Sequence, residues 1–111
     1  MKRAYELMVI IDGDVADADN KVIVARVEAL IGEAGGELAS TDRWGRRKFA
    51  YLINHKSEGY YVVFELTADP AKLDPIDRYL RMADEVVRHK LIRLPEAEVE
   101  RRSLAAVAAE D

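Results

Sequence analysis

The chain has 111 residues, no cysteine, half its residues apolar and a formal net charge of −4. A chain of this length makes one domain around one core, and without cysteine it builds no disulfide scaffold, zinc ribbon or cysteine nucleophile. Its longest apolar run, Leu7 to Ile11, is far short of the ~20 residues that cross a bilayer, and Glu6 and Asp12 bracket it where a signal-peptide core would continue, so the expectation is a soluble intracellular domain.

Residues 4–11 alternate around Tyr5, Leu7, Val9 and Ile11, with Glu6 and Met8 between them. That is a strand period with two fairly apolar faces, which predicts a central strand. Asp12-Gly13-Asp14 breaks it, and Asp14 or Asp17 is expected to cap a following helix. Ile23, Val27, Leu30, Ile31 and Ala34 fall on one helical face, and Gly35-Gly36 ends it. A second strand region runs from about Glu37 to Asn54, with a bulge or kink at Gly45. The polar stretch from Asn54 to Gly59 predicts a hairpin loop. Tyr60 to Leu66 is the plainest strand, with Tyr60, Val62, Phe64 and Leu66 facing the core.

Asp69-Pro70 and Asp74-Pro75 both have the form of a cap followed by a first helical proline. A helix is expected to start at one of them, run to about Met82, and bury Leu73, Ile76 and Leu80. Val86 to Leu94 is a last strand, closed by Pro95. Residues 96–111 are Glu- and Ala-rich and predict a mobile or partner-ordered tail, in part helical, behind a domain of residues 1–95.

The order β-α-β-β-α-β predicts an α+β ferredoxin-like sandwich. In it a four-stranded antiparallel sheet carries two helices on one face. A strand order of 4-1-3-2 places the two most apolar strands in the middle and leaves the other face open, a common docking surface. Enzymes, regulatory modules and RNA binders all use this fold, so the site must name the function.

Most catalytic chemistry lacks its residues. Read as a calcium loop from Asp12, the fifth position is Ala16, the sixth Asp17 and the twelfth Ile23, which fits no EF-hand. His55 and His89 have no partner at metal-ligand spacing, and His89 reads as a half-buried strand residue. Ser40, Ser57 and Ser103 lie in no nucleophile elbow, and the glycines form no phosphate loop. Asp-Gly-Asp after the first strand would repel a phosphate. Neither enzyme activity, a metal nor a cofactor is therefore expected. The third strand reads Glu58-Gly59-Tyr60-Tyr61-Val62-Val63-Phe64-Glu65, which departs from the RNA-recognition motif at its basic, small and two aromatic positions, so base stacking in that manner is disfavoured.

What remains is charge. Residues 41–56 carry +4 and residues 78–93 carry +3, between acidic blocks. A polyanion feels the local patch within about 8–10 Å, not the total. Arg46, Arg47 and Lys48 follow Trp44-Gly45, with Arg46 and Lys48 on one strand face and Arg47 on the other. Lys56 lies in the adjoining loop, Lys2 and Arg3 open the first strand, and Arg88 and Lys90 share a face of the last with Val86 and Ile92. If these blocks meet they form a cationic rim suited to phosphates. If not, they are solvated strand-edge charges.

The motifs Arg3-Ala4-Tyr5-Glu6, Trp44-Gly45-Arg46-Arg47-Lys48-Phe49-Ala50-Tyr51-Leu52-Ile53, Gly59-Tyr60-Tyr61 and Leu80-Arg81 before Val86 and Arg88 stand in register over about residues 3–94. Together they make the chain resemble the ribosomal protein S six family of the bacterial small subunit. The resemblance implies a non-catalytic, cytoplasmic constituent of the ribosome. It implies binding to the central domain, or platform, of the small-subunit ribosomal RNA as a heterodimer with ribosomal protein S eighteen, with no membrane or small-molecule substrate. Its motif positions suggest Lys2, Arg3, Arg46, Arg47, Lys48, Lys56 and Arg88 as RNA contacts, with Tyr5 packing beside them; Lys90 joins from its place beside Arg88. The sheet edge and the tail after Pro95 are the expected partner surface, and Pro75 is expected to shorten the second helix. The alternative is a non-catalytic regulatory or dimerisation module of the same fold.

Overall fold

The computed structural model describes residues 2–53 and 56–102. Strand β1 (Arg3–Asp12) leads to helix α1 (Asp17–Glu33), then to strands β2 (Glu37–Ile53) and β3 (Lys56–Ala68). A 3-10 turn (Pro70–Lys72), helix α2 (Asp74–Met82) and strand β4 (Val86–Arg93) follow. The strands pair antiparallel in the order β2-β3-β1-β4, so the two most apolar strands take the centre, as their composition predicts. Tyr5, Leu7, Val9 and Ile11 of β1 and Val62, Phe64 and Leu66 of β3 meet Ile23, Val27, Leu30 and Ile31 of α1 and Ile76 and Leu80 of α2 in one core. Each fully buried side chain of this kind stabilises the fold by roughly 1.5–3 kcal/mol. Tyr60 is only half-buried at the edge of that core.

The ends of α1 divide the expectations. Its N-cap is Ala16, with no side-chain cap bond. Asp14 lies in the preceding turn, where its N–H donates to Asp12 Oδ1 at 3.0 Å, and Asp17 is the first helical residue. The acids therefore oppose the positive end of the helix dipole instead of capping it. At the other end Gly35 takes φ +74°. Gly36 N–H reaches Ile31 O at 2.9 Å and Gly35 N–H reaches Gly32 O at 3.0 Å, the paired bonds of a Schellman cap.

The β2–β3 ladder slips three times, between Leu38 and Ser40, between Arg43 and Gly45, and beyond Lys48. Gly45 has φ +87°, so the predicted bulge is present and needs its glycine. The predicted loop is shorter than expected, because β3 begins at Lys56. Residues 56–59 are polar because Lys56 and Glu58 are ion-paired, not because the chain turns. Residues 54 and 55 lie outside the described residues.

Both Asp-Pro pairs start a helical element. Asp69 accepts the Ala71 N–H at 3.0 Å and caps the 3-10 turn. Asp74 opens the short α2, with Pro75 in its first turn and no side-chain cap. On β4 a bulge intervenes, with Ile10 opposite Arg88 but Ile11 opposite Val86. Val86 thereby packs on the core, which corrects the expectation that it shares a face with Arg88 and Lys90. Beyond Pro95, residues 96–102 are helical, and Pro95 O accepts from Glu98 and Val99 N–H at 3.0 and 3.1 Å. The rest of the expected tail, residues 103–111, lies outside the described residues.

Candidate nucleic-acid interface

Alternation along the central strands turns Glu6, Met8 and Ile10 of β1 and Tyr61, Val63 and Glu65 of β3 away from the helices. Ile10 and Val63 are 6% and 5% exposed yet lie outside the helix-side core. A second, thinner layer covers the sheet there. The bulge at Gly45 delivers Trp44 to this face, where its ring lies parallel to Tyr61 with centroids 6.2 Å apart. Phe49 meets Tyr61 edge-on, also at 6.2 Å. Trp44 Nε1 donates to Asp42 Oδ2 at 3.1 Å, and the Arg47 guanidinium lies 5.3 Å from the Trp44 ring centroid, within reach of a cation–π contact.

Strand order alone would keep β2 and β4 apart by two strands, roughly 14 Å at ~4.8 Å per strand. The irregular stretch beyond Lys48 overcomes that separation. Lys48, Phe49 and Tyr51 of β2 line one cavity of about 350 Å³ with Met8, Ile10, Arg88 and Lys90. Its floor is apolar and aromatic, and its rim is cationic. Arg47, Lys48, Arg88 and Lys90 are exposed, and none has an ion-pair partner among the described residues.

The other predicted contacts are placed differently. Arg46 Nη2 donates to Tyr60 Oη at 2.6 Å, its guanidinium lies 4.9 Å over that ring, and Nη1 is 3.6 Å from Glu58. The Tyr60 hydroxyl, then the neighbouring charges, hold the Arg46 pKa above its ordinary value. Lys56 Nζ is 3.0 Å from Asp12 Oδ2, which raises the Lys56 pKa. The Asp14 N–H, followed by Lys56, lowers that of Asp12. Lys56 clasps the hairpin to the end of β1 and the loop after it, and Arg46 ties β2 to β3 within the hairpin. Tyr5 is 7% exposed within the core and offers no ring face to a ligand, which corrects its placement beside the contacts. Lys2 lies 3.9 Å from Glu37. It and Arg3 stand at the far end of β1, about seven residues or ~24 Å from Ile10 along the strand. The three basic blocks therefore do not close one rim; those of β2 and β4 do.

The open-face aromatic layer is absent from the sequence reading, although Trp44 beside the bulge glycine was its signal. Arg102 is absent as well. Its Nη1 lies 2.8 Å from Glu65 and 3.4 Å from Glu6, so the helical segment after Pro95 rests on the acidic end of the same face. His89, on the helix side, makes a 2.8 Å contact with Asp77 and ties β4 to α2.

The chain is thus a small α+β protein of ferredoxin-like fold, with helices on one face of the sheet and a cationic, aromatic-floored cavity on the other. A family model described as Ribosomal protein S6 matches residues 4–93, and the chain belongs to that family. It is 42% identical over 93 residues to the small ribosomal subunit protein bS6 of Carboxydothermus hydrogenoformans, covering 84% of this chain and 97% of that one. It is 39% identical over 97 residues to that of Micrococcus luteus, covering 87% and 96%. The crystal structure of the 30S ribosomal protein S6 from Thermotoga maritima superposes with a TM-score of 0.85 at 31% identity, over 95% of this chain and 99% of that one. The C-terminal domain of the MgtC protein from Mycobacterium tuberculosis shares the fold alone, with a TM-score of 0.61 at 14% identity over 86% of this chain and 90% of that one. Membership makes the chain a structural protein of the bacterial small ribosomal subunit. It is a cytoplasmic ribonucleoprotein component in translation and not an enzyme.

Proposed function

We propose that the chain binds the central domain of the small-subunit ribosomal RNA as a pair with ribosomal protein S eighteen, and that Arg47, Lys48, Arg88 and Lys90 are its principal phosphate contacts. The observation that carries this is the convergence of β2 and β4 on one cavity lined by three exposed cations, Lys48, Arg88 and Lys90, with exposed Arg47 next to Lys48 on β2, and none of the four ion-paired among the described residues. Each phosphate neutralised releases counterions, and an arginine can take two phosphate oxygens at once. Folding an RNA junction crowds phosphates, and a rigid cationic edge offsets their repulsion in one arrangement only. Arg46 and Lys56 shape the hairpin that presents this edge. Lys2 and Arg3, at the other end of the sheet, would contact a separate stretch of backbone.

Four cations on a chain of net charge −4 give modest affinity alone, which is the reason a basic partner is needed. The test is filter or anisotropy binding of a central-domain RNA fragment in the presence of the partner. Arg47→Ala, Arg88→Ala and Lys90→Ala should each weaken binding about three- to tenfold and lower the salt slope by about one. Unchanged binding in all three would return these residues to solvated edge charge.

A further inference from the structure

The other end of the open face is acidic. Glu6 and Glu65 are direct cross-strand partners, and like charges in that position repel. Arg102 fills the gap: Nη1 lies 2.8 Å from Glu65 Oε1 and 3.4 Å from Glu6 Oε1, while Nε donates to Glu98 Oε1 at 2.8 Å. Glu98 also binds Arg101, at 2.6 Å. Apolar support is slight. Val99 is half-buried and shares a groove with Ala4, Thr67 and Leu94. Among the described residues, the side-chain polar ties of this segment to the sheet are those of one guanidinium, and partly exposed ion pairs are individually weak and screened by salt.

We propose that residues 96–102 form an exchangeable strap, and that Glu6 and Glu65 beneath it are an arginine-accepting pair that an arginine of a basic protein segment takes over from Arg102. The carboxylates explain why the strap must exchange and not merely lift. Without a cation between them two like charges face each other across the ladder. Nη1 alone bridges Glu6 and Glu65 while Nε stays free to hold a third acceptor, here Glu98, a fixed planar arrangement of donors that an ammonium, a point charge, lacks. The strap stands on the geometry alone; that the incoming arginine belongs to a ribosomal neighbour rests on the function proposed above.

The test uses the full chain, without RNA or ribosomal partner, and a fluorescent arginine–glycine peptide at low salt. Arg102→Gln should bind the peptide about fivefold more tightly than wild type, because the internal competitor no longer occupies the site. Adding Glu6→Gln and Glu65→Gln to that variant should abolish the gain, with the circular dichroism spectrum unchanged. A lysine–glycine peptide of equal charge should show a smaller gain. Amide exchange of residues 96–102 should be faster in Arg102→Gln, and added salt should produce the same change in wild type. Equal exchange in the two proteins overturns the strap. A freed strap with no gain in peptide binding, or a gain that survives removal of both carboxylates, overturns the exchange. Either failure leaves the cationic cavity and its RNA test untouched.

Discussion

Gly59 is where a single added carbon should report on the whole open face. A Cβ there would lie 2.7 Å from Ile10 Cγ2, 2.9 Å from Phe49 Cζ and 2.9 Å from the Ile11 carbonyl oxygen. Ile10 could rotate and Phe49 could swing out with the hairpin. The carbonyl belongs to β1 and cannot withdraw without disturbing the central ladder. Overpacking of this kind costs about 1–3 kcal/mol, partly offset by the roughly 0.5–1 kcal/mol gained when a strand glycine becomes alanine. A net loss of about 1–2 kcal/mol lowers the melting temperature by roughly 5–12 °C. Far-UV circular dichroism would measure it, and Trp44 fluorescence would report the displaced aromatic layer, since Phe49 and Trp44 both contact Tyr61. Gly32→Ala is the control: a Cβ there meets nothing within 4 Å, in a helix, and should gain about 0.5–1 kcal/mol. If Gly59→Ala melts at or above the wild-type temperature with unchanged fluorescence, the hairpin is not packed on Gly59 and the cavity reading fails.

Further outcomes follow from the same contacts. Arg46→Ala should lower the melting temperature by a few degrees and affect RNA binding only through the hairpin, whereas Arg47→Ala should weaken binding without changing the melting curve; thermal melts beside binding curves separate the two. The hydrogen bond from His89, then the Arg81 charge, hold the Asp77 carboxyl below its ordinary value. Its contribution is therefore full above the unfolded value of about 3.9 and lost as pH falls through the lower folded value. Urea midpoints of wild type and Asp77→Asn should differ near neutrality and converge in acid, and a constant gap down to about pH 2 would refute the assignment. Phe64→Ala, at a residue 1% exposed, should cost about 3–5 kcal/mol, read from denaturant unfolding.

The sheet order was legible because it depends on which strands are most apolar, and β1 and β3 announce that by composition. The bulge at Gly45 was legible because glycine inside a strand pattern has few other uses. The start of β3 was not, since solvated, ion-paired strand residues such as Lys56 and Glu58 have the same composition as a loop. Nor was the side taken by Val86, because one inserted residue reverses the alternation and leaves no mark in the sequence. The cations were found by type but not by duty. Arg46 and Arg47 are neighbours, yet one is spent on Tyr60 and Glu58 while the other stays exposed over Trp44. Arg102 was missed because its partners are distant in sequence, on β1 and β3.

We propose the cavity between β2 and β4 as an RNA-binding edge that works with a basic partner. The most direct measurement is binding to a central-domain fragment of small-subunit ribosomal RNA, with and without ribosomal protein S eighteen, at several salt concentrations. The chain alone should bind weakly with a shallow salt slope, and the pair should bind tightly and salt-sensitively, with Arg47→Ala and Arg88→Ala each weakening it. A steep salt slope for the isolated chain, or no binding by the pair, would contradict the proposal.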